Sequence, residues 1–258
     1  MSKTSINKQF IDNQVQTFRA NDPEGAGMIT KHHIVLDMIK RNSKPSERVL
    51  DIGCSDGKIL KELVSLGYTK LYGVDIQELS KTSFTGTSIT YRVCDIENEP
   101  LPFKDKFDLI IVSDVLEHLF SPQTVLYDLK KSLTLTGKIV FSMPNAGWFL
   151  NGVLLTFFPS KLFASTAFGP WGHTHQFTFY EVSKIATKLK YKIVELKGGK
   201  LDNYAFKQGI KKIVFDIFVW ITHPLATRFP FIFSAHIFGV IENTNKSPAA
   251  RDRFDAGD

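Results

Sequence analysis

The run Phe107-Asp108-Leu109-Ile110-Ile111-Val112-Ser113-Asp114 carries four successive apolar residues, Leu109 to Val112, in a segment short enough to be one strand. A strand with apolar side chains on both faces must be covered on both faces, which is the situation of parallel sheets in α/β proteins. Similar segments recur around it. ERVLDIGC (47–54) reads as a buried strand ending in a glycine turn, and KLYGVDI (70–76), SITYRVCDI (88–96) and GKIVFSMPN (137–145) read as further strands. Between them lie helical patterns. Leu60, Leu63, Val64 and Leu66 share a face that stops at Gly67. Ser121 and Pro122 open a second helix as N-cap and first-turn residue, with Val125, Leu126, Leu129 and Leu133 inward and Gly137 as its stop. Strand and helix in alternation specify an α/β fold with a parallel sheet, whose ligands bind beyond the carboxyl ends of the strands.

The rest of the chain is less regular. One amphipathic helix is expected around Ile29 to Ile39, a capped helix from Thr178 to Leu189, and strands at YKIVELKGG (191–199) and FIFSAHIFGVIEN (231–243). Phe206, Ile210, Val214, Ile217 and Phe218 stand at helical spacing. The expected organisation is an N-terminal helical cap over residues 1–46, a main domain over 47–243 with apolar insertions at 145–172 and 200–228, and a disordered tail over 244–258.

Composition narrows the class. The 258 residues, 43% hydrophobic and 22% charged, bury enough apolar surface to exclude general disorder. The net charge of +6 suits anionic substrates or a membrane surface and is no nucleic-acid signature; DNA is not an expected partner. Two cysteines, Cys54 and Cys94, make no disulfide framework and suit a reducing, cytoplasmic location. The polar start MSKTSINKQFIDNQ reads as no signal peptide. The apolar runs 138–161 and 213–241 are broken by prolines and polar residues before a membrane span is complete.

The turn Asp51-Ile52-Gly53-Cys54-Ser55-Asp56-Gly57 joins the first strand to its helix. Glycines at 53 and 57 permit a tight turn and close backbone approach to a ligand facing the helix N-terminus. Asp75 and Asp95 end the second and third strands, where carboxylates can accept from ribose hydroxyls and an exocyclic amine. Taken together, VLDIGCSDG, LYGVDI, VCDIENEPLPF and FDLIIVSDVLEHL resemble the motif series of class I S-adenosylmethionine-dependent methyltransferases, nearest the group holding small-molecule and sugar O-methyltransferases. The resemblance covers residues 45–145 strongly, and 173–200 and 231–243 weakly.

It implies a Rossmann-like, seven-stranded, mostly parallel sheet with helices on both faces and an antiparallel last strand. It implies S-adenosylmethionine as cofactor. The turn with Asp51, Gly53, Cys54, Ser55 and Gly57 would hold the methionine part, Asp75 the ribose and Asp95 the adenine amino group. Ile76 and Ile96 would pack the ring, and Ser113 completes the set. Ser55 stands where the family usually has glycine, and is small enough for binding to survive. A nicotinamide-binding dehydrogenase is the rival, but its G-x-G-x-x-G fingerprint is replaced here by G-x-x-x-G.

An alcohol, about as weak an acid as water at pKa ~15.7, needs a general base or a cation before it can attack a methyl group. Asp114, Glu117 and His118 follow the fourth strand at a spacing that shares one helical face. Further on comes Trp171-Gly172-His173-Thr174-His175-Gln176-Phe177-Thr178, similar to the H-x-x-x-F-T/S stretch before the last helix of many such enzymes. The two motifs together resemble metal-assisted O-methyltransferases of RNA ribose and of quinone precursors. In that match Asp114, Glu117, His118 and His173 would ligate magnesium, manganese or zinc, Asp114 being one methylene shorter than the usual glutamate. The alternative is catalysis without a metal, with His118 or His173 as base and Glu117 shaping the pocket. His32 and His33 form a weaker pair, expected at the surface.

The resemblance implies O-methylation of a small-molecule acceptor, first of all a carbohydrate or nucleotide-linked sugar of a cell-surface polysaccharide or natural-product pathway. Next come a quinone-precursor or lipid-like acceptor and RNA ribose, and outside enzymology a cofactor-binding partner subunit without turnover. The aromatic segments at 147–172 and 200–228 suit a substrate lid, a homodimer surface or a peripheral membrane contact.

Overall fold

The structure, a computed structural model, describes residues 30–78, 84, 86–157, 172–199, 222 and 224–244. The expected start of the cap, the helical spacing around residues 206–218, most of the two apolar insertions and the tail beyond Thr244 lie outside the described residues. In chain order the elements are α1 (Thr30–Asn42), β1 (Arg48–Ile52), α2 (Lys58–Ser65), β2 (Lys70–Asp75), β3 (Ile89–Val93), β4 (Phe107–Ser113), a 3-10 turn (Leu116–His118), α3 (Pro122–Ser132), β5 (Leu133–Pro144), α4 (Phe149–Phe157), α5 (Phe179–Lys188), β6 (Tyr191–Gly199), α6 (Pro230–Phe233) and β7 (His236–Asn243).

The strands form one seven-stranded sheet in the order β3-β2-β1-β4-β5-β7-β6. β1 pairs in parallel with β2 and β4, β2 with β3, and β4 with β5, while β7 runs antiparallel between β5 and β6. This is the Rossmann-like α/β sheet that the motif series implied. Its centre is β4, whose Leu109, Ile110, Ile111 and Val112 have no solvent exposure. Two cores cover its faces. Helices α1 and α2 supply Val35, Leu36, Met38, Ile39, Ile59, Leu60 and Leu63 to one. Helices α3 and α5 supply Val125, Leu126, Leu129, Val182 and Ala186 to the other. Complete burial of a residue such as Ile39 contributes about 1.5–3 kcal/mol, so α1 is anchored by its apolar face. No helix among the described residues is long and apolar enough to cross a membrane.

Two boundaries differ from the sequence reading. Leu133 does not prolong α3; it turns extended and pairs with Phe107 as the first residue of β5. Its apolar side chain is buried as helical spacing required, but the sheet ladder claims its backbone. Gly137 lies inside that strand, where a Cβ would stand 2.8 Å from the Phe107 carbonyl oxygen, so its role is close packing. The segment 231–243 is likewise divided, with Pro230–Phe233 forming a short helix before β7 starts at His236.

The start of α5 follows the sequence signal. Thr178 and Glu181 form a reciprocal capping box, Thr178 Oγ1 accepting from Glu181 N at 3.2 Å and Glu181 Oε2 from Thr178 N at 2.9 Å. Thr178→Ala is expected to lower stability by about 1 kcal/mol, read as a lower urea midpoint with an unchanged slope.

Candidate active site

The sheet order makes β1 and β4 neighbours, and the loops after β1 to β5 meet along one edge. The turn after β1 departs sharply from extended backbone, with φ of 67° at Gly53, 48° at Ser55 and 75° at Gly57. Ser55 thus holds the left-handed conformation that glycine adopts freely, at a cost of about 1–2 kcal/mol. The turn is tied to the end of β2. Gly53 N and Cys54 N both donate to the Val74 carbonyl, at 2.8 and 3.1 Å. Asp75 accepts from Ser55 N at 2.9 Å and from Gln77 N at 3.0 Å. A Cβ at Gly53 would meet Val115 Cγ2 at 2.6 Å, so the turn also abuts the loop after β4. At Gly57 a Cβ would meet the Phe84 ring at 2.3 Å.

Asp51 is buried within β1, and burial, followed by the charge of Asp75, pushes its carboxyl well above the usual range. Asp95, just beyond β3, accepts from Glu97 N at 3.1 Å and Asn98 Nδ2 at 2.8 Å. Ile76 and Ile96 are half-buried beside these strand ends. Cys54 and Cys94 are buried, and burial raises both thiols, that of Cys94 to about 11. Both act as small hydrophobes. His33 is exposed and His32 half-buried.

Beyond β4 the backbone does not form a single helical turn. Asp114 has φ of 53°, Val115 is non-helical, and only Leu116–His118 form a 3-10 turn. Asp114 therefore leaves the face shared by Glu117 and His118. Its N donates to the Ser142 carbonyl at 2.9 Å, and its Oδ1 accepts from Ser142 Oγ at 3.0 Å. Its Oδ2 pairs with the Lys31 ammonium from the first turn of α1. Burial opposes ionisation of Asp114, but Lys31, then His236, and the hydrogen bonds from Lys31 and Ser142 hold its carboxyl well below the usual range. Ser113 Oγ and Ser142 Oγ are hydrogen-bonded at 2.8 Å.

Glu117, His118 and His173 do come together, with one potential ligand atom from each lying within 4.8 Å of the others. The rings of His118 and His173 meet edge-on with centroids 5.0 Å apart. Backbone hydrogen bonds carry His173 there. Thr174 N and His175 N both donate to the Glu117 carbonyl, at 2.8 and 3.1 Å. The single hydroxyl hydrogen of Thr174 is directed at the carbonyls of Glu117 and Leu119, which lie 3.0 and 2.6 Å from Oγ1. His175 serves this staple, its Nδ1 lying 2.9 Å from the Leu119 carbonyl. Among the described residues the buried Oε2 of Glu117 has no hydrogen-bond partner. Burial and then the charge of Asp114 push the Glu117 carboxyl well up. Burial also lowers His118, and lowers His173 to about 4 with a further contribution from His118. Two neutral imidazoles and an unsatisfied carboxyl oxygen are a donor set that fits a divalent cation.

Three participants went unmarked in the sequence: Lys31, Ser142 and His236. No local pattern distinguishes them; the packing of α1 brings Lys31 to this edge, the pairing of β4 with β5 brings Ser142, and that of β5 with β7 brings His236.

A methyltransferase-domain family model matches residues 28–196. The chain belongs to the class I S-adenosylmethionine-dependent methyltransferases, and the nicotinamide alternative is set aside. The tRNA U34 carboxymethyltransferase of Campylobacter hominis is 33% identical over 140 residues, 52% of this chain and 44% of that protein. The ubiquinone biosynthesis O-methyltransferase of Hydrogenovibrio crunogenus is 24% identical over 172 residues, 64% of this chain and 69% of that protein. The chain spans about half the length of the first curated relatives it matches. Among solved structures, the magnesium protoporphyrin IX methyltransferase of Synechocystis, with bound SAH, aligns with a TM-score of 0.59 at 16% identity, covering 94% of this chain and 100% of that one. This last likeness is one of fold.

Proposed function

We propose that this chain transfers a methyl group to a hydroxyl oxygen with the help of a divalent cation held by Glu117, His118 and His173. The observation that carries the reading is the convergence of these three side chains around a buried Glu117 carboxyl oxygen that has no hydrogen-bond partner among the described residues. S-adenosylmethionine supplies the methyl group as an electrophile on a sulfonium. The turn from Gly53 to Gly57 holds its methionine part, Asp75 the ribose, Asp95 the adenine amino group, and Ile76 and Ile96 the ring. Asp51 and Ser113 support this cradle from the ends of β1 and β4. A cation at the triad would lower the pKa of an acceptor hydroxyl, so that its proton passes to water; the oxygen would then take the methyl group as the carbon–sulfur bond of the sulfonium breaks, leaving S-adenosylhomocysteine. A bound cation would offset the burial that pushes the Glu117 carboxyl up and so favour its ionised, ligating form, and the staple from Thr174 holds His173 in reach. The imidazole of His173, lowered to about 4, is a weak base at neutral pH and is better suited to ligation than to proton removal.

For the acceptor, the quinone-precursor or lipid-like class stands first. α4, which follows β5 in the chain, and α6, which precedes β7, carry exposed apolar side chains, among them Leu155, Phe157, Phe231 and Ile232. Ring contact between Phe149 and Phe233, at 5.3 Å, joins the two helices. The ubiquinone relatives name an O-methyltransferase reaction, whereas neither they nor the tRNA relative names the carbohydrate or nucleotide-linked sugar that the motif series suggested. The test is methyl uptake from labelled S-adenosylmethionine into catechol-type quinone precursors, nucleotide sugars and RNA, before and after chelation. Transfer to the quinone precursors that stops with chelator and returns with magnesium, manganese or zinc is expected. Full activity after exhaustive chelation rejects the cation, and uptake into sugars alone reverses the order of acceptors.

A further inference from the structure

The reaction described above leaves one conspicuous charge pair unused. Lys31 reaches from the first turn of α1 to Asp114, a separation of 83 residues in the chain. The pair is sheltered, with side-chain exposures of 23% for Lys31 and 17% for Asp114. We propose that Lys31 is a positioning residue that draws Asp114 away from Glu117, His118 and His173, so that the cation takes three ligands from the chain and keeps open positions for the acceptor. The inference rests on the cation reading.

Both oxygens of Asp114 are engaged elsewhere, Oδ2 by Lys31 and Oδ1 by Ser142 Oγ at 3.0 Å. Its backbone enforces the same direction. The left-handed φ of 53° and the bond from its N to the Ser142 carbonyl turn it off the 3-10 turn that carries Glu117 and His118. The three converging residues form a group without it. Lys31 cannot follow Asp114 far, because Val35, Leu36, Met38 and Ile39 fasten α1 to the sheet. At a tetrahedral ion such as zinc a fourth protein ligand would close the site, and at an octahedral ion such as magnesium or manganese it would take one of the open positions, whereas three leave room for a bound oxygen at either. Keeping Asp114 outside also leaves Glu117 as the one carboxylate in the triad, so a bound cation retains more positive charge with which to polarise a hydroxyl.

The test is calorimetric titration of the full-length, metal-free protein with manganese and separately with zinc. Lys31→Met removes the partner of Asp114 Oδ2 and a positive charge, leaving Asp114 held only through Ser142 and its own backbone, and is expected to bind the cation at least about tenfold more tightly. Lys31→Arg, which preserves the pair, should retain the wild-type affinity. Lys31→Met/Asp114→Asn should return to the wild-type affinity, since it removes only residues outside the ligand set. His173→Ala should lose about 10- to 100-fold or more. S-adenosylhomocysteine binding by each variant verifies its fold. A double variant as weak as His173→Ala makes Asp114 a ligand and overturns the inference, and so does an unchanged affinity in Lys31→Met. A wild-type protein that binds neither cation refutes the metal site itself, an outcome distinct from both.

Discussion

Replacing His118 or His173 by alanine is expected to slow methyl transfer at least about 100-fold while leaving S-adenosylhomocysteine affinity unchanged. The size follows from the loss of a cation that would activate the attacking oxygen, a contribution of several kcal/mol to the barrier, of which about 1.36 kcal/mol is a factor of ten. The two imidazoles face one another at 5.0 Å and share the environment of Glu117. If they hold one ion, losing either already loses its effect, so the double variant should be little worse than each single variant. Single-turnover transfer with labelled S-adenosylmethionine gives the rates, and calorimetry gives the cofactor affinity. Multiplicative losses in the double variant would show two independent roles. One imidazole would then be a base and the other a pocket residue.

Asp75→Ala should weaken S-adenosylmethionine binding by at least about tenfold. Hydrogen bonds from ribose hydroxyls to a carboxylate contribute about 1.5–3 kcal/mol each, and about 1.4 kcal/mol is a factor of ten. The structure adds a second loss. Asp75 also accepts from Ser55 N at 2.9 Å, so alanine releases the turn whose left-handed Ser55 is already costly. Asp75→Asn, which keeps an acceptor oxygen but not the charge, should fall between alanine and the wild type. Calorimetry that finds unchanged affinity in the alanine variant would remove Asp75 from the cofactor site.

Much of the scaffold was legible because its signals are local. The apolar run Leu109–Val112 is buried on both faces as its composition demanded, and Thr178 caps α5 through its own neighbour Glu181. The turn at 53–57 announced itself because glycine adopts the positive φ of Gly53 and Gly57 without the strain that a Cβ brings. Local reading failed where two local rules competed. Leu133 satisfies a helical stripe and a strand equally well, and pairing with Phe107 chose the strand. Asp114 has helical spacing to Glu117 and His118, yet Lys31 and Ser142 hold it in a different conformation.

The sequence by itself determined the order of strands and helices, the glycine turn and the acids at three successive strand ends. These depend on burial periodicity and on backbone preference, both of which neighbouring residues express. The tertiary structure decided which side chains meet. His173 reaches Glu117 because Thr174, 57 residues along the chain from Glu117, is hydrogen-bonded to its carbonyl. Lys31 reaches Asp114 because the apolar face of α1 fixes that helix to the sheet. Spacing along the chain constrains neither distance. Strand order and loop hydrogen bonds set both, and so determine which of the candidate ligands can share one ion.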